Sequence, residues 1–157
     1  MIKKNIFCIM LMILITECAG YQPLYSGDKS NFGIGKIDYE GDDASIAEKI
    51  GKNLKNVIRA DDNARKINMI INLKKNKGIA TKNTKGVTTN FEMRIIINVL
   101  ATEASNDKAL LDKEYSFQKI YQNKNTASET ANLESKIIDE TVAEAARLIN
   151  IDIQTLQ

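Results

Sequence analysis

The sequence has no histidine and no tryptophan, only one proline, and two cysteines that both lie near its start. Without histidine it lacks the commonest general base and the commonest metal ligand. Without tryptophan it lacks the best aromatic platform for stacking. Because Cys8 and Cys18 both fall in the first eighteen residues, removal of that segment would leave no structural disulfide. These absences count against an enzyme, a metal site and a disulfide-stabilised fold.

The composition is that of one globular domain. The 157 residues suffice for one domain and are too few for two ordinary ones. Hydrophobic residues make up 43% and charged residues 27%, which predicts a folded chain. The 22 basic and 20 acidic side chains give a net charge of +2. We therefore expect no nucleic-acid partner, and we expect any charged partner to meet a local patch.

Residues 1–17 have the pattern of an export signal. Lys3 and Lys4 precede an unbroken apolar run over residues 6–15, which is too short for a membrane-spanning helix of about 20 residues. The run leads into Ile-Thr-Glu-Cys18, which resembles the lipobox of bacterial lipoproteins. That resemblance implies cleavage just before Cys18 and a diacylglycerol on its thiol, with no other cofactor. The alternatives are ordinary cleavage, for example after Gly20, and an uncleaved leader.

The rest of the chain divides into a tether, a domain and a tail. Residues 18–31 contain the only proline and predict an extended tether, residues 32–151 a single domain, and residues 152–157 a loose tail. Ser45 and Glu48 fit a capping box that opens one helix, and Thr126 and Glu129 fit a second. The first helix should carry an apolar stripe at Ile46, Ile50, Leu54, Val57 and Ile58 and end near residues 60–63. Alternating apolar residues predict strands over 34–39, 67–73, 91–100 and 111–121.

The predicted fold is α+β, a two-layer sandwich in the order β-α-β-β-β-α. Three consecutive strands joined by hairpins must be antiparallel neighbours. Each helix has one apolar face, so both helices should pack on one face of a four-stranded mixed sheet. Residues 76–86 are polar with two glycines, and they predict either a loop or the frayed tip of a long hairpin.

The start of the tether adds a resemblance to a family. Cys18-Ala-Gly-Tyr21-Gln-Pro23-Leu-Tyr25 is similar to the Cys-Gly-(Tyr/Phe)-(Gln/Arg)-Pro-(Leu/Ile)-Tyr start of the LptE family of lipopolysaccharide-assembly lipoproteins, with Ala19 inserted. The resemblance implies a non-enzymatic plug and assembly partner of the LptD β-barrel that also binds lipopolysaccharide. It implies that Tyr21, Pro23 and Tyr25 are candidates for barrel contact. Ala19 after the cysteine, by resemblance to enteric lipoproteins, implies anchoring at the periplasmic face of the outer membrane.

A basic stretch supplies the candidates for lipopolysaccharide binding. Lipopolysaccharide carries phosphates and acidic sugars, which lysine recognises as a point charge. The alternative is that these lysines only solubilise a hairpin and protect a strand edge. The candidates are Lys74, Lys75, Lys77, Lys82, Lys85 and Arg94.

Two other functions stay open from the sequence. One is a periplasmic lipoprotein accessory of another envelope transport complex, against which the Tyr-Gln-Pro-Leu-Tyr start argues. The other is a small periplasmic hydrolase built on the paired carboxylates at 42–43 and 61–62. Because aspartate commonly caps or ends helices at such places, we expect no catalytic residue and no metal site.

Overall fold

The computed structural model describes residues 30–58 and 60–156. Four strands and two helices follow one another there in the predicted order β-α-β-β-β-α. The elements are β1 (Ser30–Gly41), α1 (Ala44–Val57), β2 (Ala60–Lys82), β3 (Thr88–Glu103), β4 (Ala109–Gln122) and α2 (Ala127–Gln154).

The four strands form one mixed sheet in the order β1-β2-β3-β4. β1 is parallel to β2, because α1 carries the chain back between them, whereas β2, β3 and β4 are antiparallel neighbours. The prediction of a four-stranded mixed sheet is confirmed.

Both helices pack on one face of this sheet. Alternate residues of the central strands point into the core, and the side chains of Ile67, Ile71, Ile97 and Val99 are fully buried there. The same core includes Ile50 and Leu54 of α1 and Ala145, Ile149 and Ile153 of α2. The prediction of two helices on one face is therefore confirmed, and the opposite sheet face has no covering element within the described ranges.

The start of α1 differs from the predicted capping box. The helix begins at Ala44 with Asp43 as its N-cap, and no side chain caps its free amide groups. Ser45 therefore lies inside the helix, and its hydroxyl donates to the Asp43 carboxylate at 2.7 Å. The helix ends at Val57, which is half exposed at 52%, and Ala60 already belongs to β2. Of the predicted apolar stripe, Val57 is therefore exposed, and the helix ends before the predicted residues 60–63.

The second capping box is confirmed at the start of α2. The Thr126 side chain accepts from the Glu129 amide at 3.2 Å, and the Glu129 carboxylate accepts from the Thr126 amide at 3.2 Å. The helix continues through Gln154, past the predicted start of a loose tail at residue 152. It does so because Ile153 is fully buried and the Asp152 carboxylate is held by Lys113 and Tyr115.

β1 is longer than predicted and contains an irregularity. A register shift between Ile34 and Ile37 explains how both side chains pack against the core although their spacing does not fit a regular strand. Phe32 is 1% exposed, and the Arg65 guanidinium lies over its ring at 4.5 Å. The sequence reading missed Phe32 as a core residue.

β2 and β3 form a long hairpin. Pairing continues to Lys82 opposite Thr88, so the loop alternative for residues 76–86 is wrong and the hairpin is correct. The Asn83 side chain accepts from the amides of Lys85 and Val87 and closes the turn, and Gly86 adopts a φ of +79°. Glycine suits that left-handed conformation because it has no Cβ.

Candidate functional site

The six predicted basic residues lie in three different places. Alternation along β2 sends Lys75 and Lys77 to the helix-covered face and Lys74 to the opposite face. Arg94 of β3 shares that opposite face with Lys74, whereas Lys82 and Lys85 lie at the end of the hairpin. The structure therefore does not form one cluster from all six.

Lys75 and Lys77 are engaged by carboxylates. The Lys75 ammonium lies 2.6 Å from the Asp43 carboxylate. Lys77 pairs with Glu134 of α2, and its ammonium also lies 4.2 Å from the centre of the Phe91 ring. These two lysines hold the helices to the sheet, which makes them poor candidates for ligand binding.

Lys74, Lys82 and Lys85 are exposed, and they form no ion pair within residues 30–58 and 60–156. Arg94 pairs only with Glu92 on its own strand at 3.3 Å. Register places Lys74 opposite Ile96, and Arg94 opposite Asn76 two residues along. Lys74 and Arg94 are therefore diagonal neighbours on one face.

The end of the hairpin combines charge with apolar surface. We define the hairpin tip as residues 79–87. Ile79 is 54% and Val87 57% exposed there, beside the exposed Lys82 and Lys85. The sequence analysis identified the lysines but not these two apolar side chains. The signal was present, because Ile79 and Val87 are apolar residues within an otherwise polar and basic stretch. The tip is thus amphipathic.

The sheet face opposite the helices is a second uncovered surface. We define the open sheet face by Ile70, Lys74, Arg94, Ile96, Leu100 and Ile120, which the strand register places on this side. Ile120 is the most exposed large apolar side chain among the described residues, at 64%. Asp38 lies opposite Ile70, and Asp112 lies opposite Leu100. Charges of both signs therefore lie at both ends of this face, with Glu92 beside Arg94 toward the hairpin tip and Lys36 paired with Asp38 at the other end.

Two similar clamps fix α2 to the sheet. The Glu134 carboxylate accepts from Tyr121 at 2.8 Å and pairs with Lys77. The Asp152 carboxylate, near the other end of the helix, accepts from Lys113 at 2.8 Å and from Tyr115. The helical layer is therefore held by polar contacts near both ends as well as by its apolar face.

The clamps shift the pKa values of their members. Burial alone would raise the pKa of Glu134, but hydrogen bonds from Lys77 and Tyr121 outweigh it and lower that pKa. Asp152 behaves in the same way, with Lys113 and Tyr115 as its donors. Burial raises the tyrosine pKa values above 10.0, and the neighbouring carboxylates raise them further. Both carboxylates are structural anions at neutral pH.

The hydrolase hypothesis rests on paired carboxylates, of which Asp43 has described contacts. Hydrogen bonds from Lys75 and Ser45 lower the pKa of Asp43, so this carboxylate already has partners. Among the residues that the structure describes, no group of three or more histidine, cysteine, aspartate and glutamate side chains could hold a metal ion. The side chains of Asp61 and Asp62 lie outside the description.

Several predicted residues fall outside the described ranges. The signal segment, Cys18 and the barrel-contact candidates Tyr21, Pro23 and Tyr25 all precede residue 30. Within residues 30–58 and 60–156, neither helix is long and apolar enough to cross a membrane.

The fold is that of several bacterial lipoproteins. The chain is similar to rare lipoprotein B of Shewanella oneidensis, with a TM-score of 0.51, 11% identity, and coverage of 72% of this chain and 89% of that one. It is also similar to lipoprotein B of Nitrosomonas europaea, with a TM-score of 0.51, 13% identity, and coverage of 78% of this chain and 84% of that one. A third similar structure is a minor lipoprotein of Acinetobacter baumannii, with a TM-score of 0.51, 12% identity, and coverage of 76% of this chain and 91% of that one. No protein-family model matches this sequence, and no curated protein matches it significantly.

Proposed function

We propose that this chain is a lipid-anchored protein of the outer membrane that assists lipopolysaccharide assembly by binding, without catalysing a reaction. In this role it is the plug and assembly partner of an LptD-like β-barrel and also contacts lipopolysaccharide. The observation that carries the proposal is a sheet with helices on one face only, whose other face and hairpin tip present unpaired lysines beside exposed apolar side chains. The fold shared with bacterial lipoproteins supports it.

The hairpin tip suits an amphipathic anionic ligand. The Lys82 and Lys85 ammonium groups offer point charges to phosphates, and Ile79 and Val87 offer apolar contact next to them. Lys74 and Arg94 extend the cationic surface onto the open sheet face. Because the ion pairs of Lys75 and Lys77 hold the helices to the sheet, whereas Arg94 pairs with a neighbour on its own strand, the proposal assigns lipopolysaccharide contact to the other four basic candidates.

The open sheet face suits a barrel partner. The lumen of an outer-membrane barrel is polar, and this face mixes half-buried apolar residues with charges at both ends. A plug in such a lumen needs a surface of this mixed kind, because a wholly apolar face would find too few matching groups. Tyr21, Pro23 and Tyr25 are proposed to add contacts from the tether.

Anchoring is assigned to acyl chains on Cys18. Each buried methylene contributes about 0.8 kcal/mol, so one chain binds weakly and two or more hold stably. Mass spectrometry of the native N-terminal peptide should give an acylated Cys18 as the first residue. An unmodified start at any position would contradict the anchor, and a Cys18→Ala variant that localises normally would do so as well.

The binding claim is tested by co-purification of the full-length protein from membranes. The Lys82→Glu/Lys85→Glu variant should recover on the order of tenfold less lipopolysaccharide, because reversing two charges at the tip replaces attraction by repulsion. The matched control reverses Lys108 and Lys119, two exposed lysines elsewhere, and should change recovery less than about twofold. Equal recovery from the tip variant and the control would contradict the assignment.

The identity of the protein that co-purifies tests the partner. A large outer-membrane β-barrel should accompany the wild-type chain. If the membrane subunits of another transport complex co-purify instead, the barrel assignment is wrong. The chain would then be the accessory lipoprotein that the sequence leaves as an alternative.

A further inference from the structure

A small cleft lies on the far side of the domain from the hairpin tip. It has a volume of about 340 Å³ and is bounded by the start of β1, the last turn of α1 and the beginning of β2. Its lining is Gly33, Ile34, Gly35, Lys55, Ile58, Ala60 and Lys66. The volume falls within the range of small-molecule sites in proteins, about 300–1,000 Å³.

The described charged side chains of this cleft are both basic. Among the lining residues whose side chains the structure describes, two are charged, Lys55 and Lys66. Neither forms an ion pair within the described ranges, in contrast to Lys75, Lys77 and Lys113 elsewhere on the domain. Two ammonium groups around one concavity repel each other, and an anion between them relieves that repulsion.

The space between the two lysines is kept open by small residues. Gly33, Gly35 and Ala60 present at most a methyl group, so backbone forms much of the wall. The Lys66 side chain passes over Gly33, where its Cδ lies 3.8 Å from the position that a Cβ would take. Gly35 lies in the β1 register shift and has no paired residue on β2. A phosphate group, which is compact and has several acceptor oxygens, fits this combination of space and donors.

We propose that this cleft binds a phosphate group, held by the ammonium groups of Lys55 and Lys66. This site is separate from the lipopolysaccharide-binding residues proposed above and does not depend on them. The phosphate has two sources, a free phosphate ion and the headgroup of an anionic phospholipid. Gly33 lies fifteen residues after Cys18, and a chain of that length spans at most about 50 Å. With acyl chains on Cys18, the cleft therefore stays within reach of a bilayer surface.

The test is a titration of the ¹⁵N-labelled full-length chain in a nonionic detergent, followed through the amide signals of Gly33 and Gly35. The probes are inorganic phosphate and the short-chain lipid dihexanoylphosphatidylglycerol, with sodium chloride at matched ionic strength as the reference. Saturable shifts with phosphate alone identify a site for the free ion. Saturable shifts with the lipid as well identify the headgroup. Either result supports the site, and shifts no larger than those with chloride overturn it.

Variants assign the binding to the two lysines. Lys55→Ala/Lys66→Ala should weaken phosphate affinity by at least about tenfold, because two charge-assisted contacts are lost. Lys55→Arg/Lys66→Arg should stay within a few-fold of wild type. Lys108→Ala/Lys119→Ala, which removes the same charge elsewhere, should have no effect. Unchanged affinity in the alanine variant of the cleft overturns the proposal.

A further variant separates this site from the proposed function. Lys82→Glu/Lys85→Glu alters the tip and should leave the shifts of Gly33 and Gly35 with phosphate unchanged. If the hairpin tip does not bind lipopolysaccharide, the phosphate site in the cleft is unaffected by that result. If the cleft does not bind phosphate, the proposed lipopolysaccharide contact at the tip is likewise unaffected. Loss of the shifts in the tip variant would overturn the independence of the two sites.

Discussion

At the scale of single residues, the described structure separates charges that hold the fold from charges that are free to bind. Lys77 and Lys113 contact carboxylates of α2, which also accept from buried tyrosines. Lys82 and Lys85 have no such partner within the described ranges. The sequence shows only that all four are lysines, because ion pairing depends on contacts between residues far apart in the chain.

The clamp at Asp152 should contribute measurably to stability. Asp152→Asn weakens its contacts with Lys113 and Tyr115, and we expect the free energy of unfolding to fall by about 1–2 kcal/mol. Asp139→Asn is the matched control, since Asp139 on the same helix pairs with Lys49 at 2.8 Å between two well-exposed side chains. That change should cost about 0.5 kcal/mol or less. Urea denaturation measures both, and equal effects would contradict a structural role for the clamp.

Neighbouring residues of β3 should report the difference between the two sheet faces. Ile97 is fully buried under the helices, whereas Ile96 is half buried on the open sheet face. Ile97→Ala should lower the free energy of unfolding by about 3 kcal/mol because it leaves a cavity, and Ile96→Ala by about 1 kcal/mol or less. Chemical denaturation distinguishes them. A larger cost at Ile96 would mean that the open sheet face is covered in the isolated protein.

At the scale of elements, local patterns predicted most of the fold and failed where distant contacts decide. The alternation of apolar residues identified β3, because along most of this strand one face is buried under the helices and the other is not. The same rule gave a truncated β1, since a register shift interrupts its alternation. The tail prediction fell short at Ile153, whose burial depends on tertiary packing. The site was harder to predict, because the ion pairs of Lys75 with Asp43 and of Lys77 with Glu134 join residues far apart in the chain.

The two helix starts provide a test of capping. Thr126→Ala removes an observed cap and should lower the free energy of unfolding by about 1 kcal/mol. Ser45→Ala removes only a hydroxyl that donates to Asp43 inside α1, and should cost about 0.5 kcal/mol or less. Thermal and urea unfolding compare the two variants directly. Equal losses would restore the capping box that the sequence indicates at Ser45.

At the scale of the whole molecule, the lowered carboxyl pKa values predict how stability depends on pH. The pKa values of Asp43, Glu134 and Asp152 lie below their ordinary values of 3.8, 4.5 and 3.8. Their contributions are complete above those ordinary values and are lost as the pH falls through the lower folded-state values. We expect a plateau near neutral pH and a steep loss below about pH 4. Denaturant midpoints from pH 2 to 7 measure this, and a midpoint that does not fall below pH 4 would contradict it.

The raised tyrosine pKa values predict a second loss at alkaline pH. Tyr115 and Tyr121 keep their protons in the folded state above 10.0, where unfolded tyrosines ionise. Their contribution is complete below pH 10 and is lost as the pH rises through the folded-state values. Tyr115→Phe should flatten part of this alkaline loss when the denaturant midpoints are measured in a series extended above pH 10. An unchanged alkaline slope would show that Tyr115 does not titrate with unfolding.

The central claim is that the helix-free surface of this molecule binds its partners, and photo-crosslinking in cells tests it most directly. A photoreactive phenylalanine analogue is placed at Ile120 on the open sheet face and, as the matched control, at the exposed Lys136 on the outer side of α2. We expect Ile120 to crosslink to a β-barrel or to lipopolysaccharide, with at most weak crosslinking from Lys136. Strong crosslinks from Lys136 with none from Ile120 would contradict the claim.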